Sequence, residues 1–387
     1  MTRWDAEAAV VGLGAWGASA LWRLAARGVD VLGFDQTAVG RGGDSRQAGS
    51  TMFRLSCSEQ PGLVALARRS RELWAELEDT ARTQLFVPSG GLVVGPQDGP
   101  TAGGALRTAR DHDIDVRTFS ARALRFQYPR HTGVPDHHIG VWEPSAGLLR
   151  PEAAVHAAVS AARAAGARVF EYSRITAIDF VPGGVVLRSA QRDIRVRQVV
   201  VTAGPWLSSL VPDVALETYR APVTWFRPLE PDAGFSSEEF PVFVREFDDG
   251  RVLHGSGSEG DQDIRLSLED HGTAAKPTDP DDVDPAVRYE DWSALAKLLP
   301  AKLPGLRRLP ARAAASWTTR TPDAPFVLGT PDGDSRLMVA GGSGARGLQH
   351  STGIGDALAD LLLGAGTGDG PDVVARGWPS LSTAVRG

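Results

Sequence analysis

The chain has 387 residues, 42% of them hydrophobic and 23% charged, with a formal net charge of -6, the profile of an ordinary globular protein long enough for two cores. The acidic balance offers no electrostatic basis for a nucleic-acid or anionic-membrane partner, and no apolar run approaches the ~20 residues of a membrane span. The single cysteine, Cys57, excludes an internal disulfide and any multi-cysteine metal centre, so no metal is expected.

The N-terminal stretch MTRWDAEAAVV lacks the apolar core of a signal peptide, and a cytoplasmic location is the expectation. A short apolar run ends on Gly12. The spacing of Ala18, Leu21, Leu24 and Ala25 then predicts one helical face, and VDVLGFD reads as a second strand. This is a β-α-β unit, the building block of a parallel sheet. Residues 40–50 (GRGGDSRQAGS) read as loop. Leu63, Leu66, Leu73 and Leu77 mark a long amphipathic helix, and GGLVVG (90–95) a strand. Pro151 suits the first position of a helix running to about Ala165. Short strands are expected near 168–180, 184–188 and 194–202, the last ending in TAGPW (202–206). Residues 219–260 alternate as strands, and 273–289 read as a solvated Pro/Asp-rich connection. A final strand near 336–340 leads through GGSGARG to an apolar helix from Ser351 to about Leu363.

The order of these elements predicts an α/β protein with a doubly wound, Rossmann-like cofactor domain (1–86, 145–218 and 325–387). A second, α+β domain with a mixed β-sheet (87–144 and 219–324) would receive the substrate. Gly12-Leu13-Gly14-Ala15-Trp16-Gly17 has dinucleotide-binding spacing between a strand and a helix. Asp35, at the end of the next strand, is placed to accept hydrogen bonds from ribose hydroxyls. The motif alone does not separate NAD from FAD. Two later segments favour FAD. Ala203, Gly204 and Trp206 would add a second backbone cover, and the turn carrying Gly344 and Gly347 a second helix N-terminus for the flavin end.

VVGLGAWG, SRQAGSTMFRL, LARRSRELWAELE, EPSAGLLRPE, TAGPWLSSL, SWTTRTPDAPFVLG and VAGGSGARGLQHSTGIG occur in this order. With this set the chain resembles the monomeric sarcosine oxidase and N-methyltryptophan oxidase family, within the D-amino-acid-oxidase-like flavoproteins. The resemblance implies a monomer that oxidises a small amine or amino acid with FAD, producing an imine, and returns the electrons to O2 as H2O2. It places Ser45, Gln47 and Thr51 in the flavin-contacting loop, and Arg54 against the substrate carboxylate. Four positions depart from the family pattern. Ser316 stands where a cysteine would link covalently to flavin, so non-covalent FAD is expected. Arg265 stands for the lysine that promotes reaction with O2, in a chain where arginine supplies 38 of 41 basic residues. Gln349 replaces a second carboxylate-binding cation, although it keeps a place beside the cofactor. Glu269 and Thr318 replace a histidine and a tyrosine, with His254 near the aromatic lining of the pocket. These changes point to a substrate larger or less anionic than sarcosine. A flavin dehydrogenase with another acceptor, a non-catalytic flavin-binding relative and an NAD-linked reductase are the competing readings.

Overall fold

The computed structural model describes residues 3–40, 51–230, 233–258, 263–269, 276–282, 284, 286–322, 326–342 and 344–364. The strand Ala6–Val11 is buried on both sides: Ala8 and Val10 enter one core, Ala9 and Val11 another. Small and β-branched residues on both faces are what a central parallel strand requires. It pairs in parallel with Val31–Phe34 on one edge and Ile194–Val201 on the other. Arg168–Phe170 and Leu337–Gly341 continue the parallel sheet outward.

One face of this sheet carries the helices Ala15–Ala26, Pro151–Ala164 and Ser351–Leu362. Pro151 opens its helix as expected, where its missing N–H costs nothing. The hairpin Ile175–Val181/Gly184–Ser189 extends the same sheet by pairing antiparallel with Ile194–Val201, and its residues Ile175, Val185 and Leu187 join Val199 and Val201 in the core on the second face. Asp356, on the last of the three helices, receives Arg23 at 2.8 Å, Arg27 at 2.8 Å and Arg69 at 2.9 Å. Burial alone would raise its pKa, but the three guanidinium groups outweigh that and hold it below the ordinary carboxylate value.

The second sheet has eight strands and is mixed. Its order is Arg312–Arg320, Glu217–Phe226, Ile264–Glu269, Val252–Ser256, Val242–Glu246, Gly91–Pro96, His138–Glu143, Arg117–Ser120. Only the Val242–Glu246/Gly91–Pro96 pair is parallel. The outer face, with Phe226, Phe243, Leu253 and Leu266, is covered by the helices Ala121–Gln127 and Glu290–Lys302. The second of these helices is absent from the sequence reading. It buries only Leu295 and Leu299 and carries Pro300 within its last turn, so its apolar stripe is too thin to register. The α/β class expected from the sequence is the class observed. Among the described residues no helix is long and apolar enough to cross a membrane.

Candidate active site

Gly12 turns the chain out of the first strand with φ of +89°, and a Cβ there would lie 2.7 Å from both Ala203 Cα and Thr202 O. Gly17 packs the helix onto this turn, since a Cβ would come within 1.9 Å of Gly12 O. Gly14 is different: a Cβ would meet nothing within 4 Å, so the backbone faces open space there. No side chain caps the helix Ala15–Ala26 and no acid sits in its first turn. Its unpaired N–H groups and positive end are left for an anion. Asp35 is held beside the turn. Its Oδ2 accepts from the Leu13 N–H at 2.9 Å, and its Oδ1 from the Thr37 N–H and hydroxyl at 2.8 and 2.9 Å.

These groups open into one cavity of about 440 Å³. Gly12, Gly14, Ala15, Trp16 and Asp35 line one end, Thr51, Ala203, Gly204, Trp206, Gly344 and Gly347 the flanks, and Arg265, Ser316 and Thr318 the wall supplied by the second sheet. The two glycine turns are tied together, because Trp16 Nε1 donates to Gly347 O at 2.7 Å. At the rim Trp206 Nε1 donates to Asp281 at 2.8 Å, and Asp281 also holds Arg174. The open cradle over Gly14, the uncapped helix and the fixed acid suit a dinucleotide. Ser45 and Gln47 lie outside the described residues.

The pairing of Arg265 with Ser256 and of His254 with Ser267 places Arg265, Ser267, Glu269 and His254 on one face of the sheet. Arg265 and Ser267 line the cavity. Burial pulls the Arg265 pKa down to about 10, so the guanidinium remains charged at neutral pH, and its Nε has no hydrogen-bond partner among the described residues. Glu269 Oε1 and His254 Nε2 lie 3.5 Å apart and are outside the cavity lining. Ser316 is buried at the cavity wall, opposite Ala221 on the neighbouring strand.

Arg54 is buried, but it does not line the cavity. One of its terminal nitrogens donates to both carboxylate oxygens of Glu59, at 2.6 and 2.7 Å. Burial works against its charge, yet Glu59, with Cys57 and Glu143, more than compensates and raises its pKa. Glu143 itself accepts from the N–H groups of Leu55 and Ser56 at 2.8 and 2.9 Å, fixing the backbone that follows Arg54. Gln349 is also buried outside the cavity lining; its amide donates to His350 Nε2 at 2.8 Å and its carbonyl accepts the Arg54 N–H at 3.4 Å. Desolvation lowers the His350 pKa to about 4, so the ring is neutral and accepts that bond.

Comparison with known proteins resolves the cofactor. A family model described as DAO, FAD dependent oxidoreductase, matches residues 7–361. The chain belongs to this family of FAD-dependent oxidoreductases. It is 28% identical to the monomeric sarcosine oxidase of Bacillus sp. (strain B-0618) over 385 residues, covering 97% of each chain. It is also 28% identical to the N-methyl-L-tryptophan oxidase of Citrobacter koseri over 358 residues, covering 92% of this chain and 94% of the relative. Among solved structures, NikD, an unusual amino acid oxidase essential for nikkomycin biosynthesis, superposes with a TM-score of 0.81 at 21% identity, covering 93% of this chain and 94% of the other. The family read from the ordered motifs is thus the family found, and FAD is its cofactor.

Three residues that shape the site escaped the sequence reading. Glu59 occupies Arg54, Glu143 arranges the loop behind it, and His350 orients Gln349. Only Glu59 had a usable signal, an acid five residues after the arginine on the same loop.

Proposed function

We propose that this chain oxidises the carbon–nitrogen bond of a small secondary amine or N-methyl amino acid to an imine, using FAD that is not covalently attached, with O2 as final acceptor and H2O2 as product. The observation that carries the reading is the single cavity joining the glycine turn at Gly14 to Arg265 and Ser316 on the second sheet. When bound, FAD would take two electrons from the amine and pass them on to O2. The chain would hold it by the N–H groups at the start of the helix Ala15–Ala26, with Asp35 at the ribose and the Gly344–Gly347 turn at the far end. Arg265 supplies positive charge from the roof, and the sheet excludes water from that side.

Ser316 supports reversible attachment, because a hydroxyl cannot form the thioether that a cysteine makes. Purified protein is expected to be yellow, and acid or heat denaturation followed by centrifugation should leave the flavin in the supernatant as free FAD. Flavin that stays with the precipitate would refute non-covalent binding; protein that takes up no flavin at all would remove the whole reading.

The arrangement around Arg54 supports a substrate less anionic than sarcosine. Glu59 already holds, with both carboxylate oxygens, the terminal nitrogen that a substrate carboxylate would need, and Gln349 adds no charge. Replacing Glu59 by glutamine keeps the shape and removes the competitor. For Glu59→Gln the KM of carboxylate-bearing secondary amines should fall about 10-fold, as expected for one half-exposed competing charge, with kcat little altered. Steady-state kinetics with sarcosine and an uncharged secondary amine of similar size provides the check. An equal effect on both amines, or none on either, would mean that Arg54 does not read the carboxylate.

A further inference from the structure

His137, His138 and Asp248 come together at the end of the second sheet remote from the cofactor cavity. His138 opens the strand His138–Glu143, whose other end, Glu143, supports the loop after Arg54. Five residues of extended chain separate the two ends, about 17 Å. Asp248 sits in the turn that joins Val242–Glu246 to Val252–Ser256. Between the turn and the His138 strand runs Gly91–Pro96, which pairs with both neighbours.

His137 Nε2 lies 2.9 Å and His138 Nε2 2.7 Å from the same oxygen, Asp248 Oδ1. All three ligand-capable atoms fall within 4.8 Å of one another. Two imidazole nitrogens and one carboxylate oxygen form the donor set that zinc and its neighbouring divalent metals accept, with water completing the coordination. A tetrahedral ion with bonds of 2.0–2.1 Å would hold its ligand atoms roughly 3.3 Å apart, so the carboxylate oxygen would draw back a few tenths of an ångström from each ring, and the two nitrogens, now within 4.8 Å, would settle to the same spacing.

An ion and a plain hydrogen-bonded trio make different demands on the rings. To donate to Asp248, each neutral ring must carry its proton on Nε2. The His138 ring is buried, and its Nδ1 has no partner. An ion at Nε2 requires the other tautomer, with the ring proton on Nδ1, and no acceptor among the described residues fixes it there. The neighbouring Asp249 is engaged by Arg251 at 2.6 Å, which leaves Asp248 to the imidazoles. Burial on one side and solvent on the other give His138 a fixed position and an entry path: its side chain is 1% exposed, whereas those of His137 and Asp248 are 61% and 57% exposed.

We propose that His137, His138 and Asp248 bind one divalent d-block cation of the zinc class, stapling the 247–251 turn to the His138 strand across the intervening strand. The site is structural and separate from amine oxidation.

Calorimetric titration of the FAD-loaded, tag-free protein with Zn2+ tests it, with Co2+ absorption as a second reading. One equivalent should bind with a micromolar Kd, Co2+ should give a visible d–d band that Zn2+ displaces, and saturating Zn2+ should raise Tm by about 2 °C. In His137→Ala and Asp248→Asn, the affinity should drop at least 30-fold and the Tm rise should vanish, while amine turnover and FAD content stay at wild-type values. Absence of saturable binding below ~1 mM would overturn the proposal. So would an unchanged one-equivalent isotherm in both variants, which would place the ion at another histidine. The readout is independent of substrate, so its failure leaves the oxidase reading intact.

Discussion

Gly12→Val protein should purify colourless, with FAD content below a tenth of wild type and no amine-dependent flavin bleaching. A side chain at this position meets two obstacles at once. The backbone is at φ +89°, where a β-branched residue is strained by about 1–3 kcal/mol. The added carbon would also press against Ala203 Cα and Thr202 O at 2.7 Å, both of them backbone atoms with no rotamer to escape into. Either the first strand or the segment after Val201 must shift, and both line the cavity. The loss in FAD affinity should exceed about 100-fold, since the helix that receives the pyrophosphate starts three residues later, at Ala15. Far-UV circular dichroism separates loss of cofactor from loss of fold. Gly14→Ala offers a second test, because a single methyl there strains nothing in the protein and intrudes only on the bound dinucleotide. If both variants retain stoichiometric FAD, the glycine turn is not the binding site.

Arg265→Met should slow reoxidation of the reduced enzyme by O2 about 100-fold while leaving anaerobic reduction by amine nearly unchanged. The guanidinium is desolvated enough to bring its pKa down to about 10, yet remains protonated at neutral pH. A charge in that low-dielectric position acts strongly on negative charge developing at oxygen in the cavity, far more than it would in water. Methionine fills similar volume without charge. Arg265→Lys should restore most of the rate, because position and sign of charge are retained. Stopped-flow mixing of photoreduced enzyme with air-saturated buffer gives the constant directly. Equal O2 rates in wild type and Arg265→Met would remove this residue from the oxygen step. Slow reoxidation already in wild type would instead favour a dehydrogenase with another acceptor.

The sequence was informative wherever local chemistry and long-range role coincide. The glycine turn at Gly12 and Gly14 is legible because each residue type is required by its own backbone, independent of the rest of the chain. Residues 8–11 and 199–201 show as apolar runs because these parts of the two central strands are buried on both faces. Legibility ends where function depends on a partner distant in the chain. Glu143 lies 88 residues from Leu55, whose N–H it accepts, and nothing in its local sequence announces the contact. The charge state around Arg54 is likewise invisible, since a guanidinium paired to Glu59 and one awaiting a substrate are the same letter. The helix Glu290–Lys302 was lost for a different reason: two buried leucines are too few to create a period.

The bond from Trp16 to Gly347 spans 331 residues. The cofactor cavity therefore has walls that are synthesised far apart in time. At ~5–20 residues per second, roughly 20–60 s pass on the ribosome between synthesis of the first glycine turn and synthesis of the second. Throughout that interval the strand Ala6–Val11 can gain its neighbour Val31–Phe34 early, but Ile194–Val201 waits for its own partner Leu337–Gly341. Until the second turn is made, a nascent chain thus offers FAD half a clasp, and capture of the cofactor follows the synthesis of Gly347.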